Sequence, residues 1–161
     1  MQKVDWTVDF ELAGEERREA LDWAGAALGA WGCVMPPCEP IVFHFGLHDF
    51  ANVGEIEYWI VNDTDNAYCG KFLFLFENQR CPLHYHNMKD ETFYIARGTV
   101  EMEVDGEIRM LKAGDVFKMA PRMNHTFAAR GGPALVLEVS LPSISGDNIF
   151  ADKRIGNAGV L

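Results

Sequence analysis

Three histidines and one glutamate are the residues whose types and spacing best fit a chemical role. His84 and His86 are one residue apart in the stretch HYHNMKDETFYIARG, and Glu91 follows after the polar segment NMKD. Alternate side chains of a β-strand share a face, so both imidazoles should point the same way. A hairpin at NMKD would return Glu91 to them, and His125 begins another predicted strand downstream. This mixed nitrogen and oxygen ligand set suits Mn, Fe, Ni, Co or Zn.

An isolated His-x-His pair on a strand is more often a pair of solvated imidazoles than half of a metal site. Two features of the surrounding chain favour the metal. Gly98 lies where a tight turn must begin the next strand, and Gly114 and Pro121 precede His125 at turn-like intervals. A metal with open coordination positions can act as a Lewis acid on a bound substrate.

Three further residues are candidates for catalysis. Glu138 lies inside the apolar run ALVLEVSL, which predicts a buried carboxylate with a raised pKa, although an outward-facing strand position is an equal alternative. Lys71 begins an apolar strand and is the second candidate base, with a solvated strand end as its alternative. Cys81 lies three residues before His84, where a thiolate would be a nucleophile; a buried inert thiol is the commoner explanation.

Composition restricts the partners. The chain has 161 residues, one domain of common size, with 14 Lys plus Arg against 24 Asp plus Glu and a net charge of −10. No basic stripe is available for nucleic acid or for an anionic membrane, although one or two local cations can hold a small phosphorylated substrate. The chain has no apolar leader and no apolar run approaching the ~20 residues that span a bilayer, so we expect a cytoplasmic protein.

The elements that must position these residues change type near residue 40. Residues 11–30, ELAGEERREALDWAGAALGA, predict a helix that MPPCEP ends, and residues 1–40 are read as a helical extension packed on a barrel. From residue 41 to residue 161, short runs rich in Val, Ile and aromatics alternate with turns, which predicts an all-β sandwich or barrel domain. VDGE at 104–107 predicts a two-residue hairpin turn.

These motifs resemble those of a known superfamily. HYHNMKDETFYIARG has the form H-x-H-x4-E-x6-G, which is similar to the first cupin motif, and GDVFKMAPRMNH resembles the second, without its usual middle glycine. The resemblance implies a double-stranded β-helix (jelly-roll) barrel. The resemblance also implies that the metal ligands are His84, His86, Glu91 and His125.

A narrower resemblance concerns function. The segments YCGKFLFLFENQRCPLHYHNMKDE and EVSLPSISGDNIFADKRIG are similar to stretches of the D-lyxose isomerase-like sugar isomerases, although Ser143 to Gly146 replace their usual pair of acids. It implies aldose–ketose isomerisation of a small sugar or sugar phosphate through a metal-stabilised enediolate, with Mn as the first choice of metal. Cupins commonly dimerise, so we expect a homo-oligomer.

Three alternatives stay open at this point. Cys81 allows thiol-dependent removal of sulfur from a methylthio-pentulose phosphate, as in the related methylsulfurylases. The ligand set also occurs in cupin dioxygenases, and other cupins bind sugars without catalysis.

Overall fold

The computed structural model describes residues 9–161, and these form two antiparallel sheets and one helix. The helix α1 spans Gly14–Ala30. The strands are β1 Ile41–Phe43, β2 Glu55–Asp63, β3 Tyr68–Leu75, β4 Arg80–His86, β5 Glu91–Arg97, β6 Thr99–Val104, β7 Glu107–Lys112, β8 Val116–Met119, β9 His125–Ala129, β10 Ala134–Ser140 and β11 Asn148–Phe150. The predicted all-β architecture with an N-terminal helix is confirmed.

The order of the strands places the chemistry between the two sheets. One sheet runs β1-β2-β3-β10-β5-β8, and the other runs β11-β4-β9-β6-β7. Within the second sheet His84 on β4 stands opposite His125 on β9. Within the first sheet Lys71 on β3 stands opposite Glu138 on β10. Long-range strand pairing therefore brings together residues that are far apart in sequence.

The helix covers part of the outer face of the six-stranded sheet. Ala20, Ala24 and Leu28 recur at the spacing of one helix face and are buried. They pack in a cluster with the sheet residues Val42, Ile56, Tyr58, Phe74 and Leu135. The helix lies inside the predicted range 11–30, whereas the first eight residues of the predicted extension lie outside the described residues. No helix in residues 9–161 combines the length and apolar character that crossing a membrane requires.

Two predicted turns are formed as expected. Asp105 and Gly106 both have positive φ, 48° and 86°, and join β6 to β7 as a tight hairpin. Gly98 has a φ of 78°, and a Cβ there would collide with the carbonyl oxygen of Pro133. Glycine is therefore required where the chain leaves β5.

Candidate metal centre and cavity

Three imidazoles meet between the sheets. His84 and His86 alternate along β4 and both face inward, and the ring of His125 lies 4.1 Å from that of His84 and 5.5 Å from that of His86, between centroids. All three side chains are buried. Each offers a nitrogen to a common centre, and these atoms lie within 4.8 Å of one another. The shared strand face predicted for His84 and His86 is confirmed.

Glu91 returns to this centre as the hairpin geometry predicts. Its Oε1 lies 3.2 Å from His86 Nε2, and its Oε2 lies 3.3 Å from His125 Nε2. The loop that carries it back is held by the buried Asp147. The Asp147 carboxylate accepts hydrogen bonds from the backbone N–H groups of residues 87, 88 and 89 at 3.0 to 3.1 Å.

The hydrogen bonds of the imidazoles leave nitrogen lone pairs directed at the centre. His84 Nδ1 lies 2.8 Å from the Pro82 carbonyl oxygen, and His125 Nδ1 lies 3.0 Å from that of Met123. A proton donated to each carbonyl leaves the Nε2 lone pair free, as in histidine ligands of metals. His86 Nε2, His125 Nε2 and Glu91 Oε2 are buried without a hydrogen-bond partner in the described part of the chain. Unpaired buried polar atoms are costly, and a divalent cation would satisfy all three.

The charges of these groups also fit a cation. Burial, together with the neighbouring imidazoles, lowers the pKa of His84 well below its usual value, and burial lowers that of His125. Burial alone would raise the pKa of Glu91, but the Lys89 ammonium and the adjacent His86 side chain hold it well below its usual range. Neutral imidazoles and an ionised carboxylate are the forms in which these side chains bind metals.

The loop before His125 replaces the usual glycine of the second motif by a different residue. Arg122 adopts a φ of 70°, and its backbone N–H donates to the His86 carbonyl oxygen at 2.7 Å. The next turn is fixed to the β6–β7 hairpin, because the Asn124 N–H donates to the Asp105 carboxylate at 3.0 Å. Neighbouring contacts thus hold a conformation that is uncommon for a residue with a side chain.

A cavity of about 440 Å³ opens from this centre into the space between the sheets. Five of its buried side chains alternate in charge and form what we call the charge ladder: Glu91, Lys89, Glu138, Lys71 and Glu57. Lys89 Nζ lies 2.7 Å from Glu91 and 2.9 Å from Glu138. Lys71 Nζ lies 3.4 Å from Glu138 and donates a hydrogen bond to Glu57. The ladder connects the imidazole centre with the first sheet.

Glu138 is buried, which was one of the two alternatives that the sequence left open. Its pKa, however, is lowered and not raised as predicted. Burial raises the pKa, yet Lys71 and Lys89 outweigh burial and lower it below the ordinary value for a glutamate. The prediction of a raised pKa was therefore wrong, because the sequence did not reveal two lysines beside one carboxylate. Ser140 Oγ also donates to Glu138 Oε1 at 2.8 Å.

Lys71 lies in the cavity and not at a solvated strand end. Burial would lower its pKa, but Glu138, Glu57 and Glu55 raise it well above the usual value. The side chain is therefore a permanent cation and does not supply the free amine that a base requires. Its Nζ also lies 5.0 Å from the centre of the Trp59 ring.

Cys81 lines the same cavity and is buried. Burial and the neighbouring Glu55 side chain raise the pKa of the Cys81 thiol well above its usual value. Burial and the charge of Glu57 raise the pKa of Glu55 to about 8. Cys81 is therefore held as a thiol, which opposes its predicted alternative role as a nucleophilic thiolate.

Several cavity residues are not evident from the sequence. Lys89 belongs to the polar loop segment NMKD, yet its side chain is only 3% exposed. Glu55 and Glu57 alternate in β2 with the apolar Ile56 and Tyr58, a pattern that normally indicates a solvated acidic face. Both faces are buried here because the helix covers the apolar residues. The alternating pattern of β2, next to a predicted helix, is the signal from which the burial of both strand faces could have been predicted.

A second group of possible ligands lies outside the cavity, where Asp9, His44 and His48 approach one another. The Gly46 N–H donates to His44 Nδ1 at 3.0 Å. A neutral His44 then carries its proton on Nε2, the nitrogen that faces Asp9 at 3.6 Å. In this form the nitrogen has no lone pair to offer a metal.

Comparisons with known proteins agree with this fold. A family model described as a cupin domain matches residues 74–140. The chain is 32% identical to the D-lyxose/D-mannose isomerase of Thermosediminibacter oceani over 71% of this chain and 77% of the relative. It is 30% identical to the D-lyxose ketol-isomerase of Cohnella laeviribosi over 93% of this chain and 98% of the relative.

A solved structure shows the same fold over most of the chain. The L-ribose isomerase of Cellulomonas parahominis superposes with a TM-score of 0.75 and 16% sequence identity, covering 95% of this chain and 98% of that chain. The two facing antiparallel sheets agree with the cupin domain that the family model matches. The chain belongs, within the cupin superfamily, to the family of the D-lyxose isomerases.

Proposed function

We propose that the protein is a metal-dependent isomerase that interconverts the aldose and ketose forms of a small unphosphorylated sugar. The observation that carries this proposal is the position of Glu138, which Lys89 and Lys71 hold in the same cavity that the imidazoles line. The names of the two curated relatives, both isomerases of D-lyxose, support the reaction type.

The metal would be held by His84, His86, Glu91 and His125, the set implied by the cupin motifs. When bound, a divalent cation, with Mn as the first choice, supplies a Lewis acid that stabilises negative charge on the oxygens of the enediolate form of the sugar. The residues present fit such an ion because their buried, unpartnered nitrogen and oxygen atoms converge on one centre.

Glu138 is the base in this proposal. Its carboxylate takes the proton from the carbon next to the carbonyl and returns it to the former carbonyl carbon, while the proton of the neighbouring hydroxyl passes to the former carbonyl oxygen, which converts aldose to ketose. Lys89 holds one of its oxygens and Lys71 the other, so both lysines position the base and keep it ionised. Lys71 is therefore a positioning residue and not the alternative base.

The charges that line the cavity favour an unphosphorylated sugar. Lys71 and Lys89 are the cations of its described lining, and both are already paired with carboxylates. Arg80 and Arg130, which lie near site loops in the sequence, pair with Glu101 instead. A phosphate would therefore meet carboxylates without a free cation to balance it.

Isomerisation in deuterated solvent tests the proposal. The purified protein with added Mn should interconvert D-lyxose or D-mannose with its ketose, and deuterium should enter the carbon next to the carbonyl. A protein that binds the sugar without exchanging that proton would contradict the enediolate route. The corresponding sugar phosphates serve as the comparison and should be poorer substrates. The expected homo-oligomer remains a prediction.

A further inference from the structure

Glu55 is a buried acid of the cavity that lies outside the imidazole centre and has an oxygen without a hydrogen-bond partner among the described residues. It lies on β2 with its side chain 5% exposed and contributes to the cavity wall. Its Oε2 is buried and makes no hydrogen bond within the described residues. An orphaned buried carboxyl oxygen in a cavity wall is costly unless a ligand supplies the missing partner.

Glu57, two residues further along the same strand face, provides a comparison. Its Oε1 accepts from Lys71, and its Oε2 accepts from Trp59 Nε1 at 2.8 Å. Glu57 is thus fully used by the charge ladder. Glu55 lies instead beside the Cys81 thiol, and each of these two side chains shifts the pKa of the other. The two acids therefore have different roles even though they share a face.

The Glu55 and Cys81 pair lies away from the imidazole centre. Cys81 precedes His84 on β4, and their partners on β9, Phe127 and His125, are two residues apart, which corresponds to roughly 7 Å along a strand. The pair is flanked by apolar rings, since Phe43 stands opposite Glu55 and Phe127 opposite Cys81. The cavity thus has one end that fits a metal, and Glu55 and Cys81 line another part of it, between aromatic side chains and Glu57 of the charge ladder.

The protonation of Glu55 suits recognition of an alcohol. Its raised pKa, which follows from burial and from Glu57, keeps the side chain a neutral acid at neutral pH. A neutral carboxyl group is both a donor and an acceptor, and a sugar hydroxyl can use both. An ionised carboxylate would accept only.

We propose that Glu55, oriented by Cys81, is a specificity-determining residue that hydrogen-bonds the sugar hydroxyl farthest from the carbonyl. The inference rests on the proposed isomerase function, since it assumes that the carbonyl end of the sugar lies at the imidazole centre. It predicts that the protein distinguishes a sugar from the analogue that lacks its terminal hydroxyl.

The test compares Glu55→Met with the wild-type protein on such a matched pair of substrates. Methionine keeps the length of the side chain but forms no comparable hydrogen bond, so kcat/KM for the intact sugar should fall by about tenfold or more. The loss should appear mainly in KM. The deoxygenated analogue should react with wild-type and variant proteins at nearly the same kcat/KM. Glu55→Gln, which keeps a donor and an acceptor, should restore most of the discrimination.

Equal losses on both sugars, or no loss on either, would overturn the inference. If Glu55→Met does not fold, Cys81→Ala supplies the test, because it releases Glu55 and should reduce the discrimination between the two sugars. Titration calorimetry with the unreactive alditol and its terminally deoxygenated analogue separates this inference from the proposed function. Wild-type discrimination that is lost in the variant supports the Glu55 role even without isomerisation, whereas a wild-type protein that binds both alditols equally contradicts it.

Discussion

Lys71 and Glu138 face each other across neighbouring strands, and their side chains lie 3.4 Å apart at the centre of the charge ladder. The contact reverses the effect that burial has on the Glu138 carboxyl, because the cations of Lys71 and Lys89 favour its charged form. A carboxylate that is both buried and ionised is a suitable acceptor for the weakly acidic proton of a sugar carbon.

Glu138→Gln should abolish most of the isomerase activity. The amide has nearly the same shape but cannot accept the proton, so kcat should fall by about 10² to 10⁴. Metal content and sugar binding should be largely retained, and this can be measured by elemental analysis and calorimetry. Ser140→Ala is the matched control, because it removes one hydrogen bond to Glu138 and leaves the carboxylate in place. A Glu138→Gln variant with near wild-type kcat would show that another group is the base.

Lys71→Met should shift the pH profile of the reaction. Without this cation the folded pKa of Glu138 rises, so a smaller fraction is ionised and the acid side of the kcat profile should move to higher pH. The same substitution removes the positive charge that balances the Glu57 and Glu138 carboxylates. Because breaking a buried ion pair costs about 3 to 5 kcal/mol, the free energy of unfolding should decrease by a similar amount.

Two measurements check this prediction: the pH dependence of kcat and urea unfolding. Lys118→Met is the control, since Lys118 pairs with Asp90 at an exposed position and should alter neither. An unchanged acid limb in Lys71→Met would mean that the lysine does not act on the base.

His86→Ala should reduce metal binding more clearly than it changes the fold. The wild-type protein should be stabilised by added Mn in proportion to occupancy, and removal of one ligand should weaken this thermal shift. His48→Ala removes an exposed histidine outside the cavity and should behave as the wild type does. Equal metal content in the wild-type and His86→Ala proteins would exclude the proposed ligand set.

Cys81→Ser separates isomerisation from thiol chemistry. The hydroxyl keeps a donor toward Glu55, so isomerase activity should decrease by no more than several-fold. Cys69→Ser, at a buried cysteine that is not part of the cavity lining, is the matched control. If Cys81→Ser alone lost activity by orders of magnitude, the thiol would have to be reconsidered as a nucleophile.

The sequence was sufficient for the parts of this site that depend on local spacing. The period of two in a strand places His84 and His86 on one face, and a short polar turn returns Glu91 to them. In both cases neighbouring residues alone determine the direction of the side chain. The apolar run around residue 138 left a buried and an outward-facing Glu138 equally open, and only the long-range packing of the sheets decides between them.

The charge ladder could not be predicted from the sequence, because its five residues come from four different segments of the chain. Nothing in the local sequence distinguishes Lys89 from a solvated loop lysine; its position between Glu91 and Glu138 follows from the tertiary structure. The direction of the Glu138 pKa shift depends on these long-range neighbours and not on burial alone. The left-handed backbone conformation of Arg122 could not be predicted either, because hydrogen bonds from distant segments hold that loop.

Glu55 should give the stability of the protein a distinctive dependence on pH. The ordinary pKa of the carboxyl is 4.5, and the folded protein raises it to about 8. Between these values the folded state holds a proton that the unfolded chain has released, so this group makes the free energy of unfolding fall as pH rises through the window. Glu55→Gln lacks this titration, whereas all other groups are common to both proteins.

As pH rises from 4.5 to about 8, the wild-type protein should therefore lose unfolding free energy relative to Glu55→Gln. The loss should reach up to about 1.4 kcal/mol for each pH unit. Urea unfolding at a series of pH values measures it. Glu19→Gln, at an exposed helix position, should show a small and nearly constant difference. A pH-independent difference for Glu55→Gln would mean that Glu55 is ionised in the folded protein, and the neutral acid at the far end of the cavity would have to be abandoned.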